Sequence, residues 1–240
     1  MSIGRLLSWN PSVARNSFTD NIALAKYPSN AIIAGMSIQA RKERERAQRH
    51  QLIVTAAREL AEAEGWDAVT TRRLADRVEY SQPVLYSHFA SREAIIAEVA
   101  LQGFAELAAE LRQARLASRS PRAAVAALAD AYLHFADSRP ALYQAMFTMP
   151  IEVPFATQET PAPLRAGFSE FAAALEPLAA GRDTGTYAEV VWSALHGLAA
   201  LSRDHRLSPG GEQTRLGLLI DLLTAPVPGA APAHTPGAPR

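Results

Sequence analysis

The sequence predicts an all-α protein: an N-terminal three-helix head followed by a C-terminal helical body. Three observations predict it. In stretch after stretch, apolar residues recur at spacings of three, four and seven, the period of a helix with one buried face. No stretch shows a strand pattern. Residues 70–89, TTRRLADRVEYSQPVLYSHF, read as two short helices separated by a tight turn, the layout of a helix-turn-helix that places its second helix in a DNA groove.

Before that motif, residues 48–65 place Leu52, Ile53, Ala56, Ala57, Leu60, Ala61 and Ala63 on one stripe, which makes an amphipathic helix. Gly65 suits a left-handed C-terminal cap, and Trp66, Ala68 and Val69 cross back toward the core. Thr70 can cap the next helix by accepting from a backbone N–H near Arg72 or Arg73. Leu74, Ala75 and Val78 form its buried face, with Arg72, Arg73 and Arg77 off that face, and Glu79-Tyr80 is the turn. Ser81 can cap the third helix, and Pro83 sits in its first turn, where a missing N–H matters little. Val84, Leu85 and Phe89 hold this helix down, while Gln82, Tyr86, Ser87 and His88 remain for the outside. Ser91-Arg92-Glu93 opens a long helix.

The pattern formed by Thr70, Leu74, Ala75, Ser81, Leu85, Tyr86, His88, Phe89, Ser91, Arg92, Glu93 and Ile95 resembles the tetracycline-repressor (TetR) family of bacterial transcriptional regulators, over roughly residues 47–107. Two residues depart from the family pattern: Glu79 stands where glycine is usual, and Tyr80 replaces a smaller apolar residue. A left-handed turn at Glu79 costs a non-glycine residue about 1 kcal/mol. The resemblance implies a three-helix DNA-binding head whose third helix enters the major groove while the rest clamps phosphates. It implies contact from Arg49, Thr70, Thr71, Arg72, Arg73, Ser81, Gln82, Pro83, Val84, Tyr86, Ser87, His88 and Arg92. Gln82 can pair bidentately with adenine, and Val84 can touch a thymine methyl. Arg72 suits a base or a phosphate, and Thr71, Tyr86, His88 and Arg92 suit phosphates. The alternative for Tyr86 and His88 is packing inside the head.

The chain has 240 residues, enough for one large or two modest domains, and its formal net charge is zero. DNA binding therefore needs a local basic face. Arg41, Lys42, Arg44, Arg46 and Arg49, with Glu43 and Glu45 among them, form such a run just before the head; it is either a solvated arm or a phosphate or minor-groove contact. There is no cysteine, which excludes disulfides and thiolate chemistry and fits a cytoplasmic protein; the resemblance implies that it works at the bacterial nucleoid. No apolar run approaches the ~20 residues that span a bilayer, so no membrane partner is expected. Residues 1–40 read as a weakly ordered extension without a signal-peptide layout, and Met36 is a second candidate start.

The head takes residues 41–107 and the body 108–224. One long helix over 91–117 links them, with Ile95, Ile96, Val99, Phe104, Leu107 and Leu111 at helical spacing. Helices follow over 121–138 (Val125, Leu128, Tyr132 and Phe135 buried), 141–148, and 164–180 (Phe168, Phe171, Leu175 and Leu178), with a proline-broken loop over 150–163 and a turn over 181–185. Two helices close the body, over 186–205 and 212–223. The resemblance implies that these two pair with a second copy in a four-helix bundle, through Val191, Leu195, Leu198, Leu216, Leu219, Ile220 and Leu223; burial in their own monomer is the alternative. A two-fold operator needs two heads, so the implied partners are a palindromic double-stranded DNA operator and a second copy of the chain. Trp192-x-x-x-His196-Gly197 resembles a motif of one TetR subgroup. Residues 225–240 are rich in Pro, Ala and Gly and read as a tail.

The body can enclose a small-molecule pocket, with Tyr132, His134, Tyr143, Met146, Phe147, Phe168, Trp192 and His196 as candidates; the other reading of such residues is plain core. No cofactor is called for. The enzyme class offers little: no Glu-x-x-His pair for a bundle di-metal site occurs, and Asp130 and His134 make one half-site at most. Neither a glycine-rich phosphate loop after a strand nor a Gly-x-Ser-x-Gly elbow is present. The sequence thus points to a dimeric repressor released by a small molecule. A regulator controlled by a protein partner, or without an effector, is the alternative, and a helical metalloenzyme the remote one.

Overall fold

The computed structural model describes residues 30–151 and 153–225, all helices and connecting turns. Residues 1–29 of the expected extension and the tail from 226 onward lie outside the described residues. The first helix, α1 (Asn30–Glu64), starts well before residue 40, so an extension of weak order is not what residues 30–40 form. Lys, Arg, Gln, Glu and Ala are strong helix formers, and the i,i+4 pairs Gln39–Glu43 (3.0 Å) and Arg41–Glu45 (3.6 Å) add a little support. The chain divides into two compact units after Ala47, and everything below concerns the second.

In the rest of α1, Ile53, Val54, Ala56, Ala57, Leu60 and Ala61 are buried, but Leu52 is 45% exposed and Ala63 is exposed too. At about 100° per residue they lie roughly a quarter to a third of a turn from the centre of the stripe. Gly65 ends the helix with φ 82° and ψ 166°, a region essentially closed to other residues. A 3-10 turn, Trp66–Ala68, then buries Trp66. The motif follows as predicted, with α2 (Thr71–Arg77) and α3 (Gln82–His88).

The long α4 (Arg92–Leu116) forms the spine of the body and packs against α5 (Pro121–Ser138), α6 (Pro140–Phe147) and α7 (Ala162–Leu175). Gly103 of α4 is required by close approach: a Cβ there would lie 2.6 Å from Met146 Sδ of α6. A 3-10 turn, Glu176–Leu178, extends α7, and α8 (Thr184–Arg203) and α9 (Glu212–Thr224) close the body, α8 against α5 and α7 and α9 against α5. Ser91, Ser120 and Asp183 each accept from the backbone N–H three residues on, which fixes where α4, α5 and α8 begin. The Asp183 cap starts α8 at Thr184, two residues earlier than the spacing predicts.

Candidate nucleic-acid interface and body cavity

Thr70 and the Glu79 turn set the pose of the motif. Thr70 Oγ1 accepts from Arg73 N at 3.2 Å, one of the donors left open at a helix start. Glu79 takes φ 57°, the left-handed conformation its position demands. Leu74, Ala75, Leu85 and Phe89 are buried, so α3 sits on the head by one face. Its other face, Gln82, Pro83, Tyr86 and Ser87, is exposed, and Val84 and His88 are half-buried. Ser81 makes no side-chain cap bond; Pro83 has already removed the N–H of N2, one of the two donors such a cap serves. Tyr86 Oη lies 3.5 Å from Thr71 Oγ1, which joins α2 and α3 at the solvent surface. Arg49 and Arg72 are exposed as well. His50, which the sequence reading passed over, stacks on Phe89 at 4.3 Å and lies 4.0 Å from Glu98.

Two expected DNA contacts have partners within the head. Arg92 is half-buried, and its Nε and Nη2 donate to the carbonyls of Val69 (2.7 Å) and Trp66 (2.6 Å). This ties the start of α4 to the turn before α2 and corrects the expectation that Arg92 is available for DNA. Arg73 is held bidentately by Glu64 at 2.9 and 2.7 Å, and this hydrogen-bonded pairing holds the Glu64 carboxyl below its usual range. The pair is about half exposed on both sides, so Arg73 stands at the surface with Glu64 as its partner.

In the body, an apolar cavity of about 120 Å³ is lined by residues of α4 (Phe104, Leu107, Leu111), α5 (Tyr132), α6 (Phe147), α7 (Leu164, Gly167, Phe168, Phe171), α8 (Trp192) and the loop before α7 (Phe155, Thr160). Four expected pocket residues meet there: Tyr132, Phe147, Phe168 and Trp192. Tyr143 and His196 stand behind the wall. Tyr143 Oη bonds Tyr132 Oη at 2.8 Å and His196 Nδ1 at 2.6 Å, and Trp192 Nε1 donates to Tyr132 Oη at 3.2 Å. Burial pushes the Tyr132 phenol well above its usual range and the Tyr143 phenol up to about 12; burial and then the Arg203 guanidinium lower His196. A neutral imidazole accepting at Nδ1 orders the donors in one direction, from Trp192 through Tyr132 and Tyr143 to His196.

Two expected pocket residues do not belong there. Met146 is buried against Gly103. His134 is exposed on the far side of α5, in a polar cleft of about 680 Å³ with Asp130, Asp137, Arg203 and His205. Asp130 and His134 gain no third ligand: among the described residues no cluster of His, Asp and Glu is set to hold a metal ion. Nor, among those residues, is any helix long and apolar enough to cross a membrane.

The short α6 connects cavity and head. Its Phe147 lines the cavity, while at its other end Glu62 of α1 accepts from the backbone N–H groups of Ala141 (3.2 Å) and Leu142 (2.9 Å). Trp66 Nε1 donates to Ala141 O at 2.8 Å. Arg58 of α1 pairs with Glu106 of α4, a second tie.

The last two helices divide the expected dimer residues. Val191, Leu195, Leu216 and Ile220 are buried inside the monomer, at 1, 0, 8 and 2% exposure, and Leu198, Leu219 and Leu223 are half-buried. The residues left outside are Val190 (54%) and Leu201 (41%) on α8 and Leu218 (60%) and Leu222 (68%) on α9. On α8, Val190, Ala194, Gly197 and Leu201 form one row at helical spacing. The signal was present in α9, which is apolar on nearly every side, a pattern that calls for cover on two faces.

The profile of bacterial regulatory proteins, tetR family, matches residues 53–99, and that of the tetracyclin repressor-like C-terminal domain matches residues 125–223. An HTH-type transcriptional regulator of Mycobacterium tuberculosis is 31% identical over 154 residues, 62% of this chain and 67% of its own. A second HTH-type transcriptional regulator, from Bacillus subtilis, is 34% identical over 95 residues, 40% of this chain, and the match spans about half (49%) of that relative. A solved structure from Rhodococcus sp. RHA1, described as a protein with unknown function, is similar with TM-score 0.63 and 25% identity, covering 72% of this chain and 92% of its own.

Proposed function

The chain belongs to the tetR family of bacterial regulatory proteins and is a DNA-binding transcriptional regulator, and we propose that it acts as a homodimeric repressor, released from a two-fold operator by a small molecule held in the body. The observation that carries this is the outer face of α3, where Gln82, Tyr86 and Ser87 project from a helix held by Leu85 and Phe89. Gln82 reads a base edge, Val84 meets a thymine methyl, and Arg49, Thr71, Arg72, Tyr86 and Ser87 meet phosphates. Ser81 and Pro83 start the helix against the backbone. Thr70, Arg73 and Arg92 hold the motif in shape, and His88 meets a phosphate.

The second copy covers the outer rows of α8 and α9, with Val190, Leu201, Leu218 and Leu222 at its centre. Release is a population shift: the effector binds better when the two heads no longer fit successive grooves. An effector with equal affinity for both states would release nothing. Because α6 touches the cavity through Phe147 and the head through Glu62 and Trp66, a displaced α6 moves the head. The modest cavity volume, about 120 Å³, favours a second reading, a regulator controlled by a protein partner or without an effector.

Gel shift and footprinting on the DNA immediately upstream of the gene, with competitor DNA and at two salt concentrations, test the proposal. A protected, roughly palindromic site that survives competitor is the expected result. Binding that salt abolishes and competitor removes, with no footprint on any fragment tried, would overturn it.

A further inference from the structure

We infer that the body cavity takes a compact, uncharged, apolar molecule of about one aromatic ring, and that Gly167 keeps the room for it; this rests on the effector-responsive reading above. The lining is aromatic and aliphatic, with two hydroxyls. Neither hydroxyl sits idle: Tyr132 Oη is bonded to Tyr143 and Trp192, and Thr160 Oγ1 accepts from Thr157 N at 3.0 Å. No acidic or basic side chain lines the cavity. A carboxylate or phosphate carried inside would lose its water and meet no counter-charge, which costs several kcal/mol. Size narrows the class further. Pockets for drug-sized ligands hold about 300–1,000 Å³, whereas dry apolar cavities of about 150 Å³ take up benzene; this one holds about 120 Å³.

Gly167 supplies the independent observation. It lies inside α7, where glycine is less stable than alanine by roughly 0.5–1 kcal/mol. Gly103 has a packing reason for being glycine. Gly167 has none: a Cβ there would meet only Ala108 Cβ, at 4.0 Å. Gly197 and Gly217 also have room for a Cβ, but Gly167 lines the cavity, so any larger side chain there takes up its volume. At the same wall, Phe155 and Phe168 are 45 and 38% exposed, so the cavity wall reaches the surface there.

The test uses the full chain on its operator fragment, with toluene and indole as neutral rings, benzoate as the same ring with a charge, and decanoate and a long-chain acyl-CoA as charged chains. Binding is followed by calorimetry and thermal shift, and release by fluorescence anisotropy of the DNA. At least one neutral ring should bind and release DNA, with benzoate weaker than toluene by about a hundredfold or more. Gly167→Leu should keep the fold and DNA binding but lose ring binding by about tenfold or more through lost volume. Gly167→Ala, which helix propensity favours, should weaken ring binding less and serves if the leucine variant misfolds. Tight binding of a charged chain with no ring bound, or benzoate matching toluene, would overturn the ligand class and leave the effector reading standing. If no probe binds, the cavity is a packing void and this inference falls, while the operator footprint tests the regulator reading separately.

Discussion

Leu222→Glu separates association from folding, because Leu222 is the most exposed of the large apolar residues on α9, at 68%. Burying a leucine fully is worth about 1.5–3 kcal/mol. With two thirds of its surface open, each copy has roughly 1–2 kcal/mol to gain, and two-fold symmetry doubles this to roughly 2–4 kcal/mol. At 1.4 kcal/mol per factor of ten, losing that burial alone weakens the dimer by roughly 30- to 700-fold. A carboxylate in the apolar seam adds a desolvation penalty. The monomer should be indifferent to the change. Sedimentation across a concentration series should therefore show dissociation with an unchanged helical signal, and the operator footprint should fade. Ile220→Glu is the contrast: at 2% exposure it should damage the fold itself. An unchanged mass for Leu222→Glu at low concentration would refute the assignment of this face.

Gln82→Ala should relax base preference at one operator position and cost about 1–3 kcal/mol there, read from a panel of single-base operator variants; unaltered preference would remove Gln82 as a reader. Glu79→Gly should stabilise the protein by about 1 kcal/mol, since φ is 57°, and a denaturant melt with no gain would count against a strained turn. Glu62→Gln keeps the shape but weakens the grip on the first N–H groups of α6, so effector binding should persist while release of DNA is blunted; intact release would rule out this link. For His196 the folded pKa lies below 6.5, so the unfolded state takes up the proton first. Its contribution to stability is whole above 6.5 and is lost as pH falls through the folded value. Thermal melts between pH 7 and 5 should fall more steeply for wild type than for His196→Gln, and parallel curves would show that His196 titrates freely.

The fold was legible because helices announce themselves twice, by period and by punctuation. Ser91, Ser120 and Pro121 mark starts at the residues where α4 and α5 begin, and Gly65 marks a stop. Punctuation also failed where a second residue could do the same work. Asp183 sits within what reads as a glycine-flanked turn, yet its carboxylate accepts from both Thr186 N and Oγ1 at 2.8 Å, and α8 starts at Thr184. Residues 30–40 carry Gly35 and no sustained apolar period, so α1's early beginning was hidden.

Site residues were legible only where their role depends on being outside one short helix. A seven-residue α3 with one buried face leaves no choice about where Gln82, Tyr86 and Ser87 point. The arginines were another matter, because period says which way a long side chain leaves the helix and not what its tip finds: Arg92 turns inward to two carbonyls and Arg73 to Glu64. In the body the difficulty was rotation. An apolar residue on α8 can face its own core, the cavity or a second copy, and the spacing of Val190, Val191, Trp192 and Leu195 permits all three. The structure divides them, with Val191 and Leu195 in the core, Trp192 at the cavity and Val190 outside. One helix thus carries three surfaces, and α8 lies where a molecule in the cavity and a second copy of the chain would be felt by the same backbone.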